Sequence, residues 1–327
     1  MEKDKSLMKS EGLKSLKQIS VQLGLVDKVL HEAELSSVPT MTWWDSLSDE
    51  WKRHLLFHIS RFYVAYCQSS YGANYDEWYL GTYGKRFSPK IKISESALKK
   101  VLNLTSLFLP KCSLTDLSPI KHLKNLENLD LRLNNIKNIS PLAELRQLRT
   151  LSLYANWELS DIEPISTLKE LITLNLCEIQ ISNLNSLKNL CKLQNLDLSN
   201  SGFFEDLSPL ENLTEIENLQ FNHNRITNIR YISKLTKLKT LSLSVNQIND
   251  FSYLSNLPNL ETLYLCDTEI QDKDLKFLSK IKTLKYVDLM TNPVSNDAVD
   301  KFKKIRPDIS INFDRDGNRY YNNDSWI

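Results

Sequence analysis

One eleven-position pattern, L-x-x-L-x-L-x-x-N-x-I, recurs nine times between Leu104 and Val294 and constrains this chain more than any other feature. The copies open at Leu104, Leu126, Leu148, Leu171, Leu193, Ile216, Leu238, Leu260 and Leu284, 22 to 24 residues apart. A unit this short cannot bury an apolar face alone, whereas a stack of such units shares one continuous core. In the second copy Leu129 and Leu131 alternate with Asn128, Asp130 and Arg132, the two-residue period of a strand with one apolar side. Stacked in parallel roughly 4.8 Å apart, such strands predict a sheet on the order of 40 Å long.

The ninth position is Asn134, Asn156, Asn224, Asn246 and Asn292 in five copies. A side-chain amide there can bond the backbone of the turn leaving the strand, which would otherwise keep buried polar groups unpaired. Cys112, Ile179, Ser201 and Thr268 occupy the place in the other copies, and Ile179 cannot make the bond. The fourth turn is therefore expected to be locally altered. In the return half, Ser140-Pro141 and Ser208-Pro209 read as an N-cap followed by proline in the first helical turn, predicting short helical or 3₁₀ turns opposite the sheet.

The period and consensus are the leucine-rich-repeat signature. The form Ile136-x-x-Ile139-Ser140-Pro141-Leu142-x-x-Leu145 resembles the 22-residue class found in bacterial internalins and in regulatory subunits of protein phosphatase 1. The resemblance covers about residues 91–313. It implies an α/β solenoid with a curved parallel sheet on the concave face, short turns on the convex face and a helical N-terminal cap. The class hosts many binding roles, so it implies interaction without naming a partner. Internalins proper are exported, and their host-receptor role does not carry over here.

Charge narrows the partners. The chain has 41 basic and 40 acidic residues, and neither the region before residue 96 nor the rest carries the basic excess of a nucleic-acid binder. No apolar run of about 18 residues is present, so a membrane span is not expected. The opening residues mix both charges and lack the apolar core of a secretory signal. Five cysteines lie scattered without metal spacing or an even disulfide framework. With Cys177 and Cys266 on outward strand positions, this suits a reducing, cytoplasmic setting.

Ahead of the repeats, residues 1–90 read as a helical, aromatic-rich cap region. Leu13, Leu16, Ile19, Leu23, Val26 and Leu30 make a helical stripe, and Ser48 with Asp49 and Glu50 reads as the start of a second helix. Tyr71, Tyr75, Trp78, Tyr79 and Tyr83 stand in a glycine-rich stretch. That stretch reads either as cover for the open end of the first repeat or as a separate recognition site. Leu98 and Val101 match the return half of later copies, so the solenoid (91–313) is expected to begin with an incomplete repeat near Ile91. After Val294 a helix over 298–307 and a strand over 309–313 form a C-terminal cap. The polar tail 314–327 follows. Its Asn312-x-Asp314-x-Asp316-Gly317 run resembles half a calcium loop but ends at Asn323, not the bidentate Glu, so a solvated turn is the simpler reading.

Strand residues pointing away from the core line the concave face, and the repeat prescribes no residue there. The central column includes Asp130, Asn175, Asp197, Gln220, Tyr264 and Asp288; the next includes Arg132, Tyr154, Cys177 and Asn222. Four outward columns together hold Asp130, Glu178, Asp197, Asp267 and Asp288 against Lys111 and Arg132. This mildly acidic face favours a neutral or basic protein segment over nucleic acid. One-residue expansions at Asn156-Trp157-Glu158 and Ser201-Gly202-Phe203-Phe204 lengthen two turns. Trp157 and one of Phe203 or Phe204 either share a rim beside Tyr154 and Arg132, the composition of an interface hot spot, or fold back under the loop. The segment Ile270–Leu275 reads as a solvated loop.

No catalytic constellation, cofactor motif or metal set stands out. His54 and His58 share a helix face at i, i+4 but lack a third ligand, so solvated or core-edge histidines are expected. GxSxG, Walker A and kinase motifs are missing from the sequence, and a solenoid surface is not built around a deep closed pocket. The sequence thus predicts a non-enzymatic protein–protein interaction scaffold using Asp130, Arg132, Tyr154, Trp157, Asn175, Asp197, Phe203, Gln220, Asn222, Tyr264 and Asp288. The alternative is an effector-like enzyme whose N-terminal region is catalytic and whose repeats choose the target.

Overall fold

The computed structural model describes residues 39–59, 94–202 and 204–314. The N-terminal helical stripe, the aromatic stretch, Phe203 and most of the half calcium loop lie outside these residues. The chain divides into two compact units between Leu104 and Thr105.

In the first unit, helices Pro39–Ser46 and Asp49–Ile59 each pack against helix Glu95–Leu102. Ser48 caps its helix as expected, its Oγ accepting the Trp51 N–H at 3.2 Å. Ser94 does the same for Ala97. Trp44 and Leu55 are fully buried, and Leu98 and Val101 also turn inward. These last two sit on an α-helix, where the later copies carry 3₁₀ turns. His54 is interior, with its imidazole 3.9 Å from the exposed Glu50 carboxylate.

The second unit is a single open, curved sheet of ten parallel strands in strict sequence order. The strands are three residues each: β1 Ser106–Phe108, β2 Asn128–Asp130, β3 Thr150–Ser152, β4 Thr173–Asn175, β5 Asn195–Asp197, β6 Asn218–Gln220, β7 Thr240–Ser242, β8 Thr262–Tyr264, β9 Tyr286–Asp288 and β10 Ser310–Asn312. Equivalent repeat positions pair throughout, as in Leu107 with Leu129 and Leu129 with Leu151. The period fixes this register, because a slip of one residue would turn every leucine to solvent. Leu126, Leu129, Leu131, Ile136, Ile139, Leu142 and Leu145 of the second repeat are all buried. Burying each contributes roughly 1.5–3 kcal/mol, so the interior is a continuous leucine column.

The ninth-position asparagines form a spine between repeats, buried at Asn134, Asn156, Asn224 and Asn246 and half-buried at Asn292. Asn134 Nδ2 donates to the carbonyls of Leu109 (2.8 Å) and Leu131 (2.9 Å), while its Oδ1 accepts the N–H groups of Cys112 and Leu114. Asn156, Asn224, Asn246 and Asn292 repeat the donor pattern. Where the residue is Ser201 or Thr268, the hydroxyl donates to Leu176 or Leu265 instead. At Ile179 the side-chain bond is missing, yet Glu178 keeps the left-handed backbone of the other turns and Gln180 N still donates to the Leu159 carbonyl. Ile181 N donates to the Ser201 carbonyl, and an isolated bridge joins Ile181 to Gly202.

The residue just before the spine adopts a left-handed backbone in all nine repeats. Lys111, Leu133, Ala155, Glu178, Asn200, His223, Val245, Asp267 and Thr291 have φ between 48° and 59°. Such a conformation costs a side-chain-bearing residue roughly 1 kcal/mol; it recurs whether asparagine, serine, threonine, cysteine or isoleucine follows.

Two expectations for the return half are corrected. Ser140 and Ser208 do not cap their 3₁₀ turns through the side chain. Instead Asn138 and Asp206, two residues before each serine, accept its backbone N–H at 2.9 Å. Asp116, Asp161, Asn183, Asn228 and Asp250 act identically, because a short Asx side chain reaches the amide two residues on. The segment Ile270–Leu275 is no solvated loop. It forms the 3₁₀ turn Asp272–Asp274 and enters helix Leu275–Leu278. Gln271 and Asp274 make a reciprocal capping box, and Ile270 and Leu275 are buried.

Helix Asn296–Ile305 and strand β10 follow the last repeat, as the sequence predicts. Ser295 Oγ caps the helix by accepting the Ala298 N–H. Arg306 fastens the end: its guanidinium donates to the carbonyls of Ile281 (2.6 Å) and Leu284 (3.0 Å) and pairs with Asp308. No helix among the described residues is long and apolar enough to cross a membrane.

Candidate functional site

Each of the strands β1 to β9 presents its first and third residues on the concave side while its middle leucine or valine is buried. The polar groups of this face fall into two kinds.

Most carboxylates and amides of the central column are bound to their own backbone. Asp130, Asn175, Asp197 and Asp288 each accept, through Oδ1, the N–H two residues on, at 2.9 to 3.1 Å. Asn222 Oδ1 accepts the Ser244 N–H and the Ser242 hydroxyl. Asp130 further pairs with the Arg132 guanidinium at 3.0 Å. Burial raises the Asp130 carboxyl above its ordinary value, opposed by the Arg132 backbone N–H and positive charge. Asn175 Nδ2 reaches Asp197 Oδ2 at 3.5 Å. These bonds give the predicted residues a structural role in fixing the strand exits.

Other side chains of the face are turned toward solvent. Gln220 and Arg132 are exposed, and Tyr154 and Tyr264 are half-buried. The Tyr264 and Tyr286 rings lie 5.6 Å apart across adjacent strands. Trp157 is 60% exposed, which answers the choice left open by the sequence for that residue: it stands out on the lengthened third turn. Phe204 takes the other course. It is buried and packs 6.1 Å from Phe221, so it is not part of a rim; the lengthened fifth turn folds its ring onto the core. Phe203 lies outside the described residues.

Trp157 and Tyr154 meet on one residue missing from the predicted site. Trp157 Nε1 donates to Glu178 Oε2 at 3.2 Å, and the Tyr154 hydroxyl donates to Glu178 Oε1 at 3.3 Å. Burial and the Glu178 charge raise the Tyr154 hydroxyl above its usual value, keeping it a donor. Beside them, burial first, then Asp197 and Glu178, push the Cys177 thiol up to about 12. The left-handed eighth position of the fourth repeat brings Glu178 to this place. Its signal in the sequence was an acid in the outermost concave column, one repeat after the Trp157 insertion.

Ten in-register parallel strands, an asparagine spine and 3₁₀ returns define a leucine-rich-repeat solenoid. The family described as leucine-rich repeat region matches residues 86–312, and the chain belongs to it. Among solved structures it is similar to two internalins of Listeria monocytogenes. With internalin C2 it shares 24% identity over 73% of this chain and 90% of that one, at a TM-score of 0.53. With the internalin inlF it shares 24% identity over 86% of this chain and 80% of the other, at a TM-score of 0.62. No curated protein matches it in sequence. The chain is thus an internalin-like leucine-rich-repeat protein in fold, and such repeats are typically protein-interaction modules without catalytic activity.

Proposed function

We propose that this protein is a non-enzymatic scaffold whose concave face binds a protein or peptide segment of neutral to basic character. The observation that carries this reading is a contrast along the strands. The leucine positions of the inner repeats are buried, while Arg132, Tyr154, Trp157 and Tyr264 stand outward on positions the repeat leaves free. Aromatic and arginine side chains in this setting are the usual anchors of protein interfaces. The acidic balance of the outward columns supports a basic segment over nucleic acid, whose phosphates would be repelled. A reducing, cytoplasmic setting is part of the proposal, supported by Cys112, Cys177, Cys191 and Cys266, which form no disulfide among the described residues.

Affinity capture from the source lysate tests it, comparing the natural chain with one carrying Arg132→Ala, Tyr154→Ala and Tyr264→Ala. A protein retained by the first and lost by the second is the expected outcome. Identical capture by both would move the binding site off the concave face.

A further inference from the structure

We infer that Trp157 and Glu178 form a receptor for an arginine side chain of the bound protein segment; this rests on the concave-face reading and gives it a specific chemistry. Three observations converge. Trp157 is one of the two exposed large apolar side chains among the described residues. Its indole N–H is nevertheless held by Glu178, which orients the ring beside a carboxylate. The second donor on that carboxylate, the Tyr154 hydroxyl, is also neutral. Two neutral donors orient the charge without cancelling it.

The surrounding charges are also accounted for. Arg132, the cation of the neighbouring column, is committed to Asp130 at 3.0 Å. Among the described residues neither Glu178 nor Asp197 forms an ion pair, and Asp197 is held by Asn175 and by a backbone amide. The Cys177 thiol, raised first by burial and then by Asp197 and Glu178, agrees with the negative charge of the two acids beside it.

A cation–π face next to an unneutralised carboxylate selects among side chains by shape. A guanidinium is planar and weakly hydrated, so it can stack on the indole while a coplanar N–H reaches the carboxylate. An ammonium is a compact, strongly hydrated point charge and gains less from the ring. An apolar side chain would cover Glu178 without pairing it, at a desolvation cost.

The test follows the Trp157 indole N–H by nuclear magnetic resonance in the full chain, with the signal assigned by its disappearance in Trp157→Phe. Tetra-arginine, tetra-lysine and tetra-citrulline peptides are titrated separately. The expected result is a saturable shift with tetra-arginine, several-fold weaker binding of tetra-lysine, and no response to the uncharged citrulline peptide. Glu178→Gln, with an unchanged thermal midpoint, is expected to weaken tetra-arginine at least tenfold. Trp157→Leu, followed through the Glu178 backbone amide, is expected to remove the preference for arginine over lysine. A flat titration, an equal response to citrulline, or indifference to Glu178→Gln would overturn the proposal. Equal arginine and lysine affinities in the natural chain would overturn it too, by reducing the site to a bare carboxylate. Should capture still depend on the concave face while tetra-arginine fails to bind, the arginine receptor falls and the scaffold reading stands. The opposite pair of results removes the scaffold reading and leaves the receptor.

Discussion

The turns after β3 and β4 meet the same demand by different means. After β3, Asn156 is fully buried; its Nδ2 serves the carbonyls of Leu131 (3.0 Å) and Leu153 (2.8 Å), and its Oδ1 takes the Ile136 N–H at 3.1 Å. After β4 the equivalent side chain is Ile179, equally buried and without a polar atom. There the own-repeat donor is missing, and the turn keeps only the bonds that the next repeat supplies, as it does elsewhere in the stack. Ser201 Oγ bonds the Leu176 carbonyl at 2.6 Å, the Ser201 carbonyl accepts from Ile181 N, and Gly202 comes close enough to form a bridge. What the fold requires is that the exposed backbone groups of each turn be satisfied, not that asparagine satisfy them.

Breaking each solution should separate them. Asn156→Ala removes all three bonds at a buried site and is expected to cost on the order of 3 kcal/mol or more. Urea unfolding measures this, and a loss under about 1 kcal/mol would mean that the turn tolerates the missing side-chain bonds as the fourth one does. Gly202→Ala attacks the second solution. Gly202 has φ of +114°, and an added Cβ would overlap the Ile181 carbonyl oxygen. A cost of about 2 kcal/mol is expected in the same assay. Hydrogen exchange should localise it to the Ile181 and Ser201 amides, whereas a spread over the whole sheet would contradict a local device.

A smaller effect sharpens the comparison on the opposite side of the fifth repeat. Asp206 accepts the Ser208 N–H and hydroxyl, and these bonds hold its carboxyl below the ordinary value. Since the folded value is depressed, its contribution is present above the unfolded carboxylate range, about 4. That contribution fades as pH falls through the depressed value. Asp206→Asn keeps an acceptor at the same place, as Asn138 and Asn228 already do. Lacking the charge, it should be slightly less stable than the natural chain at neutral pH and lose less stability on acidification. Urea midpoints at pH 7 and pH 3 check this, and an equal loss on acidification in both chains would show that the Asp206 charge contributes nothing.

The two corrected return-half readings share a cause with the missed site residue. In Asn138-Ile-Ser140-Pro141 both an asparagine and a serine can cap, and the sequence favoured the serine because proline follows it. The 3₁₀ geometry starts the turn at the serine itself, so the Asx residue is the one at hydrogen-bonding distance. For Glu178, the sequence placed it on the concave side but could not show that the expanded third turn would swing Trp157 toward it.

By itself the sequence determined the period, the parallel order and register of the sheet, the buried leucine columns, the asparagine spine and the terminal helix and strand. All of these follow from short-range periodicity repeated at a fixed interval. Only the tertiary structure decided that Ala155, Glu178 and Val245 take left-handed backbones, none being a glycine that would announce it. It alone decided that Phe204 turns inward while Trp157 turns out, and that Glu178 gathers Trp157 and Tyr154. Those outcomes depend on contacts between neighbouring repeats, across more than twenty residues of chain. They are set by which way a lengthened turn can pack, and that is a property of the stack.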